Sequence, residues 1–151
     1  MADVLSPSDN TFDGDVLRPV VVGANHQSST MMMRDRIFVD EQNVPVLLSR
    51  MEKLGIDQAV LLATCDRVEV IGMTTDVNAF EDAALNTLAD EGECSVADLK
   101  EQTYTRIGNE AVAHVFSVTS SLDSLMIGEP QVLGQVKQAH RLARDAGFVK
   151  A

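Results

Sequence analysis

The sequence predicts an α+β domain of the ferredoxin-like split βαβ type, with a four-stranded, mainly antiparallel sheet, helices on one of its faces, and further helices after it. The main observation is the order of the predicted elements, which is strand, helix, two strands, helix, strand. The second is the short interval between the middle two strands, which predicts a tight hairpin. The third is size, because 151 residues with 45% apolar content suffice for one hydrophobic core.

Apolar runs and their boundaries predict the first half of the sheet. Residues 19–24 form an apolar run that is typical of a buried strand and ends at a polar corner. A short helical stretch is expected at 31–38. A longer helix is expected at 43–54, since a proline lies in its first turn and Gly55 follows its end.

The second half of the sheet is predicted by similar signals. Two strands are expected at 58–64 and 67–74, and a fourth at 103–107. Between them, residues 76–91 have the periodicity of an amphipathic helix. Its apolar stripe comprises Val77, Phe80, Ala84 and Leu88. Ser95 has capping-box spacing with the acidic residue three positions later and is expected to open a short helix.

The rest of the chain is predicted to be helical. A helix begins near Asn109, and Pro130 and Gly147 bracket a final helix. The side chains of the first helix that are expected to face the core are Val112, Val115, Phe116 and Thr119. The chain is thus divided into a disordered tail at 1–17, a domain at 18–147 and the start of a linker at 148–151.

Composition excludes several classes of protein. No apolar run approaches the ~20 residues that span a bilayer, and no secretion signal begins the chain, so we expect a cytoplasmic protein without a membrane partner. The net charge of −11, carried entirely by residues 1–100, argues against a general nucleic-acid surface. Cys65 and Cys94 fit neither a disulfide framework nor a metal site, so both are expected to be reduced thiols.

A basic stripe occurs in the C-terminal third, where Lys137, Arg141 and Arg144 recur at helical spacing. One interpretation is contact with an RNA phosphate backbone. The other is a solvated helix face, whose cations near the C-terminus interact favourably with the helix dipole. Both interpretations remain open from the pattern alone.

Cys65 is the first candidate for chemistry because it lies between two strand-like runs, with Arg67 two residues later. An arginine at this distance can bind a substrate carboxylate in a two-pronged hydrogen bond or stabilise a thiolate, and both are features of nucleophilic cysteine sites. The alternative is that Cys65 packs as a small buried side chain, as free cysteines commonly do. The surrounding groups must decide between the two.

Other polar residues are weaker candidates. His114 shares a helical stripe with Ala111 and Val118, beside the main apolar face, where a neutral imidazole can orient a substrate or carry a proton; a plain surface histidine is the alternative. His26 is expected to be a structural hydrogen bonder at a corner, and His140 a packing residue. Gln131 and Gln135 lie four residues apart near a predicted helix N-terminus, where amides can surround a polar or anionic group, and Gly134 between them indicates a close contact.

Taken together, these residues form a recognisable set. In order and spacing the chain resembles glutamyl-tRNA reductase from about residue 20 to residue 147, and the resemblance is to the N-terminal catalytic domain. The motifs that carry it are Gly23-Ala24-Asn25-His26, Thr64-Cys65-Asp66-Arg67, His114-Val115-Phe116, Leu122-Asp123-Ser124, and the block from Gly128 to Lys137.

The resemblance implies a mechanism. In the family a cysteine thiolate attacks the ester of glutamyl-tRNA to give a thioester, which NADPH reduces to glutamate 1-semialdehyde, the precursor of 5-aminolevulinate and of the tetrapyrroles, including heme. By resemblance Cys65 is the nucleophile and His114 the activity-critical histidine. The residues implied to line the glutamate pocket are Thr64, Asp66, Arg67, Ser124, Glu129, Pro130, Gln131 and Gln135.

The chain departs from the family pattern in three places, where Asp66 replaces an asparagine, Ser121 a glycine, and Thr30 with Met31 an Ala-Pro pair. The sequence contains no Gly-x-Gly-x-x-Gly, so NADPH is not expected to bind to this piece, and no metal is expected. The resemblance further implies a homodimeric whole enzyme, with glutamate-1-semialdehyde aminomutase and regulatory proteins as further partners. The piece alone is expected to be a monomer that carries out acyl transfer without reduction.

Two other functions remain as alternatives. A binding module without chemistry would use the same pocket to recognise the glutamyl group or a regulatory protein. A redox-sensing thiol protein would oxidise Cys65 preferentially, although no second cysteine lies nearby in the sequence. Only the enzyme hypothesis predicts a covalent adduct on Cys65.

Overall fold

The computed structural model describes residues 16–56, 58–119 and 141. The elements, in chain order, are β1 (Arg18–Asn25), α1 (Met31–Ile37), a 3-10 turn (Glu41–Asn43), α2 (Val44–Lys53), β2 (Ala59–Ala63), β3 (Arg67–Thr74), α3 (Val77–Gly92), α4 (Val96–Lys100), β4 (Tyr104–Ile107) and α5 (Asn109–Thr119). Where both ends of an element were predicted, the observed ends lie within one residue of them; the 3-10 turn was not predicted. Within the described ranges, no helix combines the length and apolarity that crossing a membrane requires.

The four strands form one antiparallel sheet in the order β2-β3-β1-β4. β1 and β2 both run antiparallel to β3, which lies between them, so they are parallel to each other. This is the split βαβ arrangement, in which a strand is inserted between the two strands that a helical crossover connects. The predicted α+β fold with its four-stranded sheet is confirmed.

The main core lies between one face of the sheet and helices α1 to α4. Val20, Val22 and Ala24 point from β1 into it, because alternate residues of a strand share a face. The helices contribute buried residues that include Ile37, Leu47, Leu48, Met51, Phe80, Ala84, Leu88 and Leu99. Two predicted signals are confirmed: the side chain of Ser95 caps α4 by accepting from the backbone N–H of Asp98, and Gly55 follows α2 with φ of 105°.

The opposite face of the sheet is contacted by α5, which packs on β1 and β4. The expectation that Val112 and Phe116 face the core is wrong, because their side chains are 42% and 67% exposed. Ala111 and Val118 are buried in their place, and Val118 packs against Leu62 of β2. The stripe of α5 that faces the sheet is therefore the one that carries His114.

Helix α5 has two stripes that contain apolar residues. The stripe with Ala111 and Val118 packs on the sheet because its polar residue, His114, bonds to a carboxylate of the sheet. The carboxylate belongs to Glu69 of β3, and His114 Nε2 bonds to its Oε2 atom. The other stripe borders an open apolar groove beside β1 and β3. This groove is lined by Pro19, Val20, Val21, Ile71, Ala111, Val112, Val115, Phe116 and Thr119.

Several predictions fall outside the described residues. These are most of the tail at 1–17, the final helix between 130 and 147, and the linker at 148–151. Of the basic stripe only Arg141 is described; it is helical and exposed. The tail, the linker and the two interpretations of the stripe stay predictions.

Candidate active site

A row of four paired residues, two of them polar, crosses the face of the sheet that α5 contacts. The register places Leu62 of β2, Glu69 of β3, Gly23 of β1 and Tyr104 of β4 side by side. Glu69 and Tyr104 are thus two strand spacings apart, roughly 9.6 Å between Cα atoms. Since Gly23 has no side chain between them, the Tyr104 hydroxyl reaches over β1 and donates to Glu69 Oε2.

The Glu69 carboxylate is fully buried and gathers three partners on one oxygen atom. Arg67 Nη1 lies 3.3 Å from Glu69 Oε2. The Tyr104 hydroxyl and His114 Nε2 bond to the same oxygen. Bonds from charged and polar donors offset the cost of removing a carboxylate from water. We call these four residues the Glu69 cluster; in the described part of the chain, Glu69 Oε1 is buried without a hydrogen-bond partner.

The cluster fixes the orientation and proton placement of the His114 ring. An ionised carboxylate only accepts hydrogen bonds, so with Glu69 ionised Nε2 is the donor of this bond. In the neutral ring Nδ1 is then the acceptor. The ring of Tyr104 packs beside it, with ring centroids 5.3 Å apart, and the Arg106 guanidinium lies 4.7 Å over Tyr104.

Cys65 lies at the same end of the sheet, in the turn between β2 and β3. Its side chain is exposed, and Sγ lies 3.8 Å from Asp66 Oδ1. The buried Thr64 shapes the turn, because its hydroxyl accepts from the backbone N–H of Asp66 at 3.1 Å and of Arg67 at 3.2 Å. Thr64 N–H donates to the Arg67 carbonyl at 2.7 Å, which closes the hairpin. An ordered turn thus presents the thiol to solvent.

A buried arginine of α1 forms a hydrogen bond with the backbone of the Cys65 turn. Arg34 Nε donates to the carbonyl oxygen of Cys65 at 3.2 Å. The same guanidinium donates to the β1–α1 corner through the carbonyl oxygens of Asn25 and Ser29. Cys65 is therefore tied to the body of the domain through its backbone, while its side chain is exposed.

Comparison with known proteins shows which family the chain belongs to. A family model described as Glutamyl-tRNAGlu reductase, N-terminal domain, matches residues 22–151. The chain belongs to the glutamyl-tRNA reductase family. The part that it represents is the N-terminal domain.

Similar proteins agree with this assignment. A glutamyl-tRNA reductase of Rhodospirillum rubrum is 45% identical over 130 residues, which cover 86% of this chain and 30% of the relative. That of Syntrophus aciditrophicus is 40% identical over 131 residues, 85% of this chain and 31% of the relative. The solved structure of glutamyl-tRNA reductase from Methanopyrus kandleri superposes with a TM-score of 0.67 at 27% identity, covering 87% of this chain and 29% of that one. The chain thus spans about 30% of the length of the curated relatives it matches.

The structure places the predicted site residues of this glutamyl-tRNA reductase domain in two groups. Thr64, Cys65 and Asp66 form the β2–β3 turn, in which Thr64 is buried and Cys65 exposed, whereas Arg67 and His114 belong to the buried Glu69 cluster. In the described residues no hydrogen bond joins His114 to Cys65. The remaining predicted residues, Ser124, Glu129, Pro130, Gln131 and Gln135, lie outside the described residues.

Arg67 differs from the expectation in its surroundings. Its side chain is 1% exposed and its guanidinium contacts the carboxylate of Glu69, and the expected contact with a substrate carboxylate stays a prediction. His26 also differs: Nδ1 is buried, and the described residues provide it with no hydrogen-bond partner, so the expected structural bond is not made by this atom.

Sequence reasoning missed Glu69, Tyr104 and Arg34 of the candidate site. One signal was available, because Arg67 and Glu69 are two residues apart on a strand and must share a face. An opposite-charge pair on one strand face indicates an ion pair, whether exposed or buried. No local signal singles out Tyr104 or Arg34, since their partners are distant in the sequence.

The turn provides a direct test of how firmly Cys65 is held. We expect Thr64→Val to lower the free energy of unfolding by about 2 kcal/mol, because it removes the acceptor of two backbone N–H groups. Chemical denaturation measures the change, and Thr64→Ser, which keeps the hydroxyl, is the matched control. Equal stability of the valine and serine variants would contradict a role for the hydroxyl in the turn.

Proposed function

We propose that Cys65 of this domain is the nucleophile that accepts glutamate from glutamyl-tRNA. The thiolate attacks the carbonyl carbon of the ester that joins glutamate to the 3′ end of the tRNA. A carbon–sulfur bond forms, the ester carbon–oxygen bond breaks, and the released 3′ oxygen takes up a proton to give free tRNA. The product is a glutamyl thioester on Cys65.

The observation that carries this proposal is an exposed thiol on a restrained backbone in a chain of this family. Free cysteine is usually buried, whereas Cys65 is exposed. Its carbonyl is bound by Arg34, and the two following N–H groups are bound by Thr64. An aminoacyl ester is already activated, so attack on it requires chiefly a thiolate and correct orientation.

We further propose roles for the neighbouring residues. His114, whose orientation and proton placement Glu69 fixes, is assigned to orient the substrate or to move a proton through Nδ1. Glutamate recognition is assigned, on the resemblance, to Thr64, Asp66, Arg67, Ser124, Glu129, Pro130, Gln131 and Gln135. The Arg67 guanidinium is buried and paired with Glu69, so its assignment rests on the resemblance alone.

NADPH does not fit the residues of this chain. A dinucleotide is usually held where a glycine-rich turn joins a strand of a parallel sheet to a helix. The described sheet is antiparallel, and the sequence contains no Gly-x-Gly-x-x-Gly. We therefore assign reduction of the thioester to glutamate 1-semialdehyde to other residues of the whole enzyme.

Assembly is proposed in the same terms. For the whole reductase we propose a cytoplasmic homodimer that works with glutamate-1-semialdehyde aminomutase and regulatory proteins. For the present chain we propose a monomer. A dimer whose mass in sedimentation equilibrium does not change on dilution would contradict the monomer.

Thioester trapping tests the central proposal. The chain is incubated with tRNA charged with labelled glutamate, without NADPH, and analysed by intact mass. We expect one glutamyl group on Cys65, none on Cys65→Ser, and a normal adduct on Cys94→Ser, the matched control with the other free thiol. A folded chain that binds glutamyl-tRNA without forming the adduct would instead support a binding module, and an adduct that survives Cys65→Ser would exclude Cys65 as the nucleophile.

Asp66 offers a second prediction, because its Oδ1 lies 3.8 Å from the sulfur. Like charges at this distance repel even in water, by roughly 1 kcal/mol. We expect Asp66→Asn to increase the rate of Cys65 alkylation by iodoacetamide at pH 7 severalfold. Asp35→Asn, an exposed acid on α1, serves as the control. Equal alkylation rates in wild type and Asp66→Asn would show that the carboxylate does not act on the thiolate.

A further inference from the structure

Arg34 is a buried cation whose hydrogen bonds go to neutral oxygen atoms. Its side chain lies on α1, and the residue is 6% exposed. Nη1 donates to the Ser29 carbonyl at 2.8 Å, the Ser29 hydroxyl at 3.1 Å and the Asn25 carbonyl at 3.3 Å. Nε donates to the Cys65 carbonyl at 3.2 Å. Within residues 16–56 and 58–119, no carboxylate forms an ion pair with it.

Burying a guanidinium is unfavourable unless its donors are satisfied, so these four bonds must offset a cost of desolvation. Other positions of the same helix avoid that cost. Arg36, two residues later, is exposed and donates to the Glu93 carbonyl at the surface. The neighbouring buried positions, Met33 and Ile37, hold apolar side chains, so burial on this face of α1 does not by itself require a cation.

The β1–α1 corner, to which Arg34 donates, is itself held by hydrogen bonds. Asn25 Oδ1 accepts from the backbone N–H of Gln27 at 2.9 Å and of Ser28 at 3.0 Å. The Ser28 hydroxyl donates to the Gln102 carbonyl at 2.8 Å, which ties the corner to the connection between α4 and β4. Arg34 thus joins the β2–β3 turn that carries Cys65 to the hydrogen-bonded β1–α1 corner.

We propose that Arg34 is a positioning residue for the Cys65 thiol. It acts through the backbone, because its Nε holds the carbonyl that follows the Cys65 Cα, while Thr64 holds the next two N–H groups. The peptide after Cys65 is then restrained on both its oxygen and its nitrogen. The direction of the thiol is fixed by Arg34 without any contact to substrate. This inference rests on the proposed role of Cys65 as acyl acceptor.

The planar fork of arginine is essential to this arrangement, because Nε and Nη1 point to two different segments at once. A lysine keeps the charge but presents its donors from a single nitrogen atom. Arg34→Lys therefore separates geometry from charge. A displacement of about 1 Å at a reacting group can lower a rate by roughly 100-fold, which sets the scale of the expected effect.

The experiment compares Arg34→Lys with Arg36→Lys, the exposed arginine of the same helix. Acylation of Cys65 by glutamyl-tRNA is followed in single turnovers, and amide hydrogen exchange is measured for residues 64–67. For Arg34→Lys we expect a 10- to 100-fold lower rate constant at saturating substrate, a nearly unchanged half-saturation concentration and faster exchange in the turn. Arg36→Lys should match wild type in all three.

Each outcome has a defined meaning. A folded Arg34→Lys with wild-type exchange and acylation would overturn the proposal, as would a loss confined to the half-saturation concentration. If wild type forms no adduct, the proposed function fails, and the exchange comparison still decides whether Arg34 orders the turn. If Arg34→Lys does not fold, Ser29→Ala, which removes one acceptor of Nη1, must show the same changes on a smaller scale, or the proposal is wrong.

Discussion

Gly23→Ala is expected to lower the free energy of unfolding by about 3 kcal/mol or more, at the upper end of the cost of overpacking. A Cβ at this position would lie 2.3 Å from the Val68 carbonyl oxygen and 2.7 Å from the Glu69 Cα. Both atoms belong to the backbone of β3, which cannot move away without breaking the ladder to β1. The same methyl group would lie 2.8 Å from Glu69 Cγ and would displace the carboxylate.

Equilibrium urea unfolding measures this change, and Gly108→Asn is the matched control. Gly108 has φ of 64°, and no atom lies within 4 Å of where a Cβ would stand, so asparagine, which tolerates this backbone region, should cost little stability. A Gly23→Ala variant as stable as Gly108→Asn would mean that the sheet tolerates a side chain between β3 and β4, against the packing described above.

Glu69→Ala is expected to destabilise the domain by about 3–5 kcal/mol, the usual cost of removing one partner of a buried ion pair. The substitution leaves the guanidinium of Arg67, 1% exposed, without this carboxylate, and it removes the acceptor of the Tyr104 hydroxyl and His114 Nε2. Glu69→Gln should cost less, since the amide oxygen still accepts. Acylation of Cys65 should be impaired in both variants to the extent that His114 loses its orientation.

The control for Glu69 is Glu81→Gln. Glu81 also accepts from a hydroxyl, that of Thr105, and has a basic neighbour, Lys100 Nζ at 3.8 Å, but it is partly exposed. We expect its loss to change stability by less than about 1 kcal/mol, because exposed ion pairs contribute little. If the Glu69 and Glu81 variants unfold at the same denaturant concentration, the Glu69 cluster does not contribute the expected free energy of unfolding.

The parts of the fold that depend on local chemistry were predictable from the sequence. Pro45 and Gly55 bound α2 because of their own backbone preferences, and Ser95 caps α4 by accepting from a backbone N–H three residues later. The hairpin around Cys65 followed from the short interval between two strands. The exposed position of Cys65 is a consequence of that same local turn.

The parts that depend on distant contacts were not predictable. Glu69, between Val68 and Val70, has the alternation of a strand with one face in water, yet it is fully buried because α5 covers that face. The choice between the two stripes of α5 was wrong for a related reason, since periodicity ranked Val112 and Phe116 as core residues. The deciding interaction joins His114 to a carboxylate 45 residues earlier in the chain.

Gly23 lies in a central strand, where β-branched side chains are favoured for packing, and a redesign that rewards strand propensity would replace it by valine. In a saturation mutagenesis library, position 23 should therefore tolerate as few substitutions as Cys65, although glycine has no functional group to lose. The contact between Tyr104 and Glu69 exists because of empty space above β1. A design that keeps only residues with reactive side chains constant would allow a side chain at position 23 and so fill the space through which Tyr104 reaches Glu69.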